Sequence, residues 1–321
     1  MKINLSNTIN LQYYYSDYSY SPKLTIPSFG ANYIQKLENS KNVLNSVNII
    51  KNILHLPTNK LSVSNLKKFL DMDIRSMADY KYKFGSAKAA LACKTNQYGD
   101  FRDFVLYVPQ TIDNNKTAKT SFLSILAHEY THYQQYKDGN PQQKIFFNKI
   151  KNLGINDETT ILEIVQVAKN TYLNLSTYLA EEPELNFIHN QISKARNLEI
   201  EGLFLTGDLD VCEKSIIKAF GYKTKKEFLE KFKENYFSTQ NFDKNIDKLI
   251  RKNEILSKMY VDNPNLKNTL KELIIYACKC YMQNETEAYY TQNQICKIQN
   301  YNERISEIRY KITNLVAQAL K

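Results

Sequence analysis

The chain has 321 residues, 43% hydrophobic and 24% charged, with 43 Lys and Arg against 33 Asp and Glu for a net charge of +10. This is the composition of a folded protein large enough for one big domain or two lobes, and no apolar run nears the ~18 residues of a bilayer span, so no integral membrane segment is expected. The lysines are dispersed instead of gathered into a basic run interleaved with aromatics, which argues against nucleic acid as a partner, and the five cysteines form no disulfide framework, as suits a reducing compartment.

Residues 1–30 are polar and rich in Tyr, Ser and Asn (Tyr13-Tyr14-Tyr15-Ser16-Asp17-Tyr18), the pattern of an extended or mobile arm. They carry one early lysine but no continuous apolar core before a small-residue cleavage site, so no secretory leader is read. The expected location is cytoplasmic, or inside a target cell after export without a Sec signal. From Ala31 to Met77 the pattern is helical, broken at Leu56-Pro57-Thr58-Asn59 and capped again near Ser62 to Ser64. Ala87–Ala92 then leads through a Gly/Asn turn to Asp103-Phe104-Val105-Leu106-Tyr107-Val108-Pro109. That run is β-branched and aromatic, apolar on both faces and stopped by proline, hence a strand.

After the polar turn Asp113-Asn114-Asn115-Lys116, a helix is predicted with Thr120 or Ser121 as its cap. Asp138-Gly139-Asn140-Pro141 supplies a glycine stop followed by proline. Beyond Pro141 nearly everything reads as helix: Thr159–Leu179, Ser215–Phe220, Lys225–Phe237, Ile246–Tyr260 and one long element from Asn268 to Ala319, punctuated by Pro183, Gly202, Gly207, Gly221 and Pro264. The expected fold class is α+β, predominantly α-helical, with a small sheet ahead of the site helix. The expected organisation is the arm (1–30), an N-terminal lobe (31–140) and a helical lobe (141–321).

Chemistry concentrates in His128-Glu129-Tyr130-Thr131-His132, an H-E-x-x-H run that uses two of the chain's 4 histidines. Four residues apart on a helix, the imidazoles are rotated by about 40° and lifted by roughly 6 Å, so both reach one ion from the same face. Glu129 points about 100° from His128, poorly placed to share the metal but well placed to reach a water beside it.

A hydrolytic zinc site takes three protein ligands and keeps one position open, so a third is sought downstream. Asp138 would follow the pattern in which a glycine turn brings a His or Asp back to the metal. Gln135 stands where that glycine should be, and a continuing helix carries Asp138 about 240° round from His132. Glu181 and Glu182 lie at an apparent helix end before Pro183, and His189 has no supporting pattern. Glu285 falls inside the stripe Ile274, Cys278, Tyr281, Ala288, Tyr289, Gln292 and Ile295, where a carboxylate is costly unless paired or metal-bound. Glu287, about 200° round from Glu285, reads as a wet or supporting residue. Glu285 is the preferred third ligand, with Glu181 and Glu287 as alternatives. Cys278-x-Cys280 lacks the spacing of a structural zinc site and reads as core.

His128-Glu129-Tyr130-Thr131-His132 over about residues 103–136, with Asn284-Glu285-Thr286-Glu287-Ala288 over about 278–292, resembles the gluzincin branch of zinc metallopeptidases. Thermolysin-like enzymes and clostridial or anthrax-type toxin proteases share that arrangement. The resemblance implies a zincin-like catalytic core holding one zinc per chain through His128, His132 and Glu285, with Glu129 as general base and a protein or peptide substrate. A bacterial effector or toxin protease is the role it suggests. The 153 positions between His132 and Glu285, where the branch more often has a few dozen, imply a large helical insertion. Tyr281 and Tyr289, four residues either side of Glu285, are candidate donors to the tetrahedral oxyanion. The strand Phe104–Val108, just ahead of the site helix, is of the kind that lines the cleft in this class and pairs with an extended peptide. The alternative is a non-catalytic interaction module on the same scaffold.

Overall fold

A computed structural model describes residues 31–79, 89–95, 101–112, 115–197, 213–301 and 304–321, with the side chains of 31–34, 95, 180–197, 215, 304 and 305 left outside. The predicted N-terminal arm lies outside the described residues. The chain runs α1 (Ala31–Glu38), α2 (Lys41–Leu54), α3 (Val63–Leu66), β1 (Asp73–Ser76), β2 (Ala90–Thr95), β3 (Phe101–Val108), α4 (Lys116–Tyr136) and α5 (Pro141–Asn152). It continues through α6 (Glu158–Asn197), α7 (Glu213–Ala219), α8 (Lys225–Phe237), α9 (Gln240–Lys252), α10 (Glu254–Asp262), α11 (Leu266–Ile298) and α12 (Arg304–Ala319). The architecture is α+β and predominantly helical, as expected, and no helix among the described residues is long and apolar enough to cross a membrane.

The sheet has the order β1-β3-β2, with β1 parallel and β2 antiparallel to β3. The sequence pattern predicts helix over Asp73–Ser76, where β1 forms instead. Asp73-Ile74-Arg75-Ser76 buries only Ile74 fully and has no strand signature of its own, so its pairing with Val105–Val108 makes it a strand. Opposite Ala92–Lys94, β3 carries an extra residue, and Asp103 takes the left-handed conformation there (φ 55) while its carboxylate pairs with Lys94 at 2.9 Å.

Two helices are central. Every residue of α4 from Thr120 to Tyr136 is buried, so it has no solvent face. α11 packs against α4, α12, α6, α2 and α5. Its first half joins a helical core with Phe146, Ile164, Phe228, Ile246 and Leu315. Ile295, near its end, enters a second core with Ile50, Leu66, Leu106, Phe122 and Leu126. The elements bearing the two halves of the candidate site, 153 positions apart in sequence, are therefore direct neighbours.

Several boundaries differ from the sequence reading. Helix α4 begins one turn early because Asn115, extended at φ −125, accepts the Ala118 N–H at 2.7 Å; Thr120 and Ser121 are buried inside the helix. Its predicted stop holds, with Gly139 at φ 79 and its N–H on the Tyr136 carbonyl. The backbone of α6 stays helical past Pro183 to Asn197. The single helix expected over Ile246–Tyr260 is two, divided at Asn253. That side chain caps α10 through the Leu256 N–H (2.9 Å) and donates to Thr160 Oγ1 and Glu163 Oε2, both at 2.9 Å, tying the break to α6. The long element ending at Ala319 is also two helices, with Asn300 in the left-handed region (φ 51) near the turn between them.

Candidate metal centre

Helix periodicity brings the Nε2 atoms of His128 and His132 to 3.2 Å from each other on one face of α4. α11 crosses that face and presents Glu285, whose Oε1 lies 3.3 Å from His132 Nε2 and whose Oε2 lies 3.5 Å from His128 Nε2. All three residues are buried, between 1% and 6% exposed, and their ligand atoms fall within 4.8 Å of one another. A tetrahedral ion with bonds of about 2.0–2.1 Å keeps its ligand atoms about 3.3 Å apart, so the observed separations match the edges of such a polyhedron. Glu285 Oε2 is buried and accepts no hydrogen bond, an arrangement that a cation at this point would satisfy. The donor set of two imidazoles and a carboxylate could thus hold a metal ion.

Burial and mutual charge set the protonation preferences of the three side chains. Burial disfavours a charged His132, but the adjacent Glu285 carboxylate outweighs it and raises His132 to about 9. Burial dominates at His128, which falls to about 4. Burial also opposes ionisation of Glu285, yet the charge on His132 and its contacts with both imidazoles hold it well below the usual carboxylate range. These directions favour the proton on His132 over one on His128, and a cation bound at the triad would have to displace it.

Surrounding groups orient the three side chains. His132 Nδ1 lies 2.9 Å from Gln135 Oε1, which fixes Nδ1 as donor and leaves Nε2 for the ion. The Gln135 amide in turn donates to the Asn284 carbonyl (2.8 Å) and to Glu287 Oε2 (3.0 Å). Glu287 accepts two further bonds, from Ser40 Oγ (2.9 Å) and Asn42 Nδ2 (3.1 Å). It is therefore a supporting residue and is not part of the triad. Asn284 bonds Asn140 (3.2 Å) and the Tyr136 hydroxyl (3.0 Å), locking α11 to the end of α4 and to the following turn. We expect Gln135→Leu to retain the fold and lower metal affinity about 10–100-fold, measured by competition with a chromophoric chelator.

Glu129, 5% exposed, faces β2, where its Oε2 accepts the Leu91 N–H at 2.9 Å. Burial pushes its carboxyl up to about 7, against the opposing pull of His132 and the Leu91 bond. The strand meeting the site is thus β2, which among the described residues lies at the edge of the sheet. β3, expected to line the cleft, lies between β1 and β2 and is paired on both sides, so it offers no edge to a peptide.

Of the two candidate phenols, Tyr289 stands beside the triad. Its ring lies 4.5 Å from that of His128, and its hydroxyl accepts from Arg309 at 3.0 Å. Tyr281 packs on the ring of Tyr172 at 4.7 Å and its phenol pairs with Gln143. The phenol on the triad itself is Tyr172, which donates to Glu285 Oε1 at 3.0 Å. Its position was legible in part: a tyrosine within the aliphatic stripe Ile161, Ile164, Ala168, Leu175 and Leu179 is a buried hydroxyl in need of an acceptor. The Leu91 contact is a backbone one and leaves no mark on sequence. The side chains of Glu181, Glu182 and His189 lie outside the described residues.

Comparison with protein-family models, curated proteins and solved structures gave no match. The functional reading rests on the site itself.

Proposed function

We propose that the protein is a zinc-dependent endopeptidase on a zincin-like core. The observation that carries this reading is the convergence of three things. They are a buried two-histidine, one-glutamate cluster, a second carboxylate, Glu129, on the histidine-bearing helix and turned away from that cluster, and a strand at the edge of the described sheet whose N–H holds that carboxylate.

When bound, zinc lowers the pKa of a water and polarises the scissile carbonyl. His128, His132 and Glu285 are the residues that would hold it. Glu129 is kept in place through Oε2 by the Leu91 N–H, which leaves Oε1 to take the proton of the attacking water and pass it to the departing amine. Arg309 donates into the Tyr289 oxygen, which biases that phenol toward donating its own proton to the oxygen that becomes negative. The outer edge of β2 lies beside Glu129 and offers backbone groups for an extended chain, which favours a peptide over a small ester or amide.

The test is hydrolysis of an unfolded protein such as reduced casein by zinc-loaded protein, read by mass spectrometry of the fragments. Cleavage should stop on chelation and return with about one equivalent of zinc. An equal fragment yield with and without chelator would contradict the reading.

A further inference from the structure

Helix α6 places Lys169 three residues before Tyr172, and both line a cavity shared with Cys93, Phe101, Phe147 and Tyr281. The space is about 30 Å³, room for roughly two waters or one carboxylate head. Its walls are one residue removed from the metal centre. Tyr172 donates to Glu285 at 3.0 Å; Phe101 packs on Tyr136 at 4.3 Å, and Tyr136 stacks on His132; Cys93 lies two residues along β2 from Leu91.

Within this largely apolar lining, which Gln143 also joins, Lys169 is the one charged side chain. Among the described residues no carboxylate pairs with it, and the one titratable group acting on it is the Cys93 thiol. Burial has moved both toward their neutral forms, Lys169 down to about 8 and Cys93 up to about 12. Other lysines on packed faces have acids: Lys267 has Asp247, Lys271 has Asp243 and Lys233 has Glu272. Lys169 is half-buried, and a cation drawn partly out of water without a counter-ion is destabilised, which an arriving anion would relieve.

We propose that this cavity is a side-chain subsite and that Lys169 selects an acidic residue, Asp or Glu, next to the bond that is cut. This rests on the peptidase reading and specifies its substrate class. A substrate carboxylate entering between Tyr172 and Phe101 would meet the ammonium in a low-dielectric space, where a charge-assisted hydrogen bond is strong.

The experiment uses the zinc-loaded Glu129→Gln protein and acetylated, amidated alanine hexapeptides bearing one central Glu, Asp, Gln or Leu, with binding read by fluorescence anisotropy of labelled peptides. The Glu and Asp peptides should bind about tenfold or more tighter than the Gln isostere, the worth of one charge-assisted hydrogen bond. Lys169→Met should erase that gap and Lys169→Arg should retain much of it. Lys169→Met exchanges a half-buried, unpaired cation for an apolar side chain of similar length and is expected to fold at least as stably as wild type; Lys169→Gln serves if it does not. Equal binding of all four peptides, or an acidic preference that survives both neutral variants, overturns the proposal. So does Lys169-dependent binding of free acetate with no peptide preference, which would make the site one for a free carboxylate. Casein cleavage without acidic preference would sink this subsite and leave the peptidase reading standing. Absence of any cleavage by wild type would sink the peptidase reading, while peptide binding would still decide the subsite.

Discussion

Glu129→Gln is expected to lower kcat by about 10²- to 10⁴-fold, the range of a positioned general base, while zinc content stays at one per chain. Glutamine has the shape of glutamate and its Oε1 can accept the Leu91 N–H that now holds Glu129 Oε2 at 2.9 Å, so the contact with β2 survives. What is lost is the capacity to take a proton. Glu129 is not among the residues whose ligand atoms cluster, so metal binding should persist. The wild-type carboxyl is buried and already pushed up to about 7 by that burial, so the neutral amide should fold at least as stably. Turnover and metal content are measured on the same sample. The substitution also separates a peptidase from a non-catalytic module on the same scaffold: a biological effect that persists unchanged in Glu129→Gln would favour the module.

Glu285→Ala should remove the metal. Loss of an outer partner of a ligand costs about 10–100-fold in affinity, and loss of a direct carboxylate ligand should cost more. Stability should fall for two reasons. The Tyr172 hydroxyl, now on Glu285 Oε1 at 3.0 Å, would be left buried without its acceptor, at about 1–3 kcal/mol. In addition, metal that binds only the folded state contributes about 4 kcal/mol at a free concentration a thousand times its dissociation constant, and the variant forfeits this. Thermal unfolding with and without zinc measures both: wild type should gain stability on zinc addition, and Glu285→Ala should start lower and gain nothing. A variant that still carries one zinc would assign the third position to another residue.

The buried triad was legible because it is written in periodicities. His128 and His132 share a helix face by spacing alone, and Glu285 stood out as a carboxylate inside an apolar stripe whose members Ile274, Cys278, Ala288 and Ile295 are buried. The long gap between the halves was no obstacle, since α11 packs directly on α4. Other features depended on partners that local sequence does not name. β1 is a strand through its pairing with β3, and β3 is central because β1 occupies its other side. Asn253 divides a helix because Thr160 and Glu163, some 90 positions earlier, hold its amide. Helix geometry sets Glu287 off the apolar stripe as a wet or supporting residue, and its bonds from Gln135, Ser40 and Asn42 select the supporting role, whose partners local sequence does not name. Tyr172 and the Leu91 N–H reach the site from elements whose position relative to α4 emerges only in the fold.

The central claim is that α4 and α11 together bind one ion through two imidazoles and a carboxylate. Anomalous diffraction at the zinc edge from crystals of the zinc-loaded protein tests it most directly. A single peak bonded to His128 Nε2, His132 Nε2 and the Glu285 carboxylate, each at about 2.0–2.2 Å, is the predicted result. A peak elsewhere, or two imidazoles turned away from an ion that Glu285 does not reach, would contradict it.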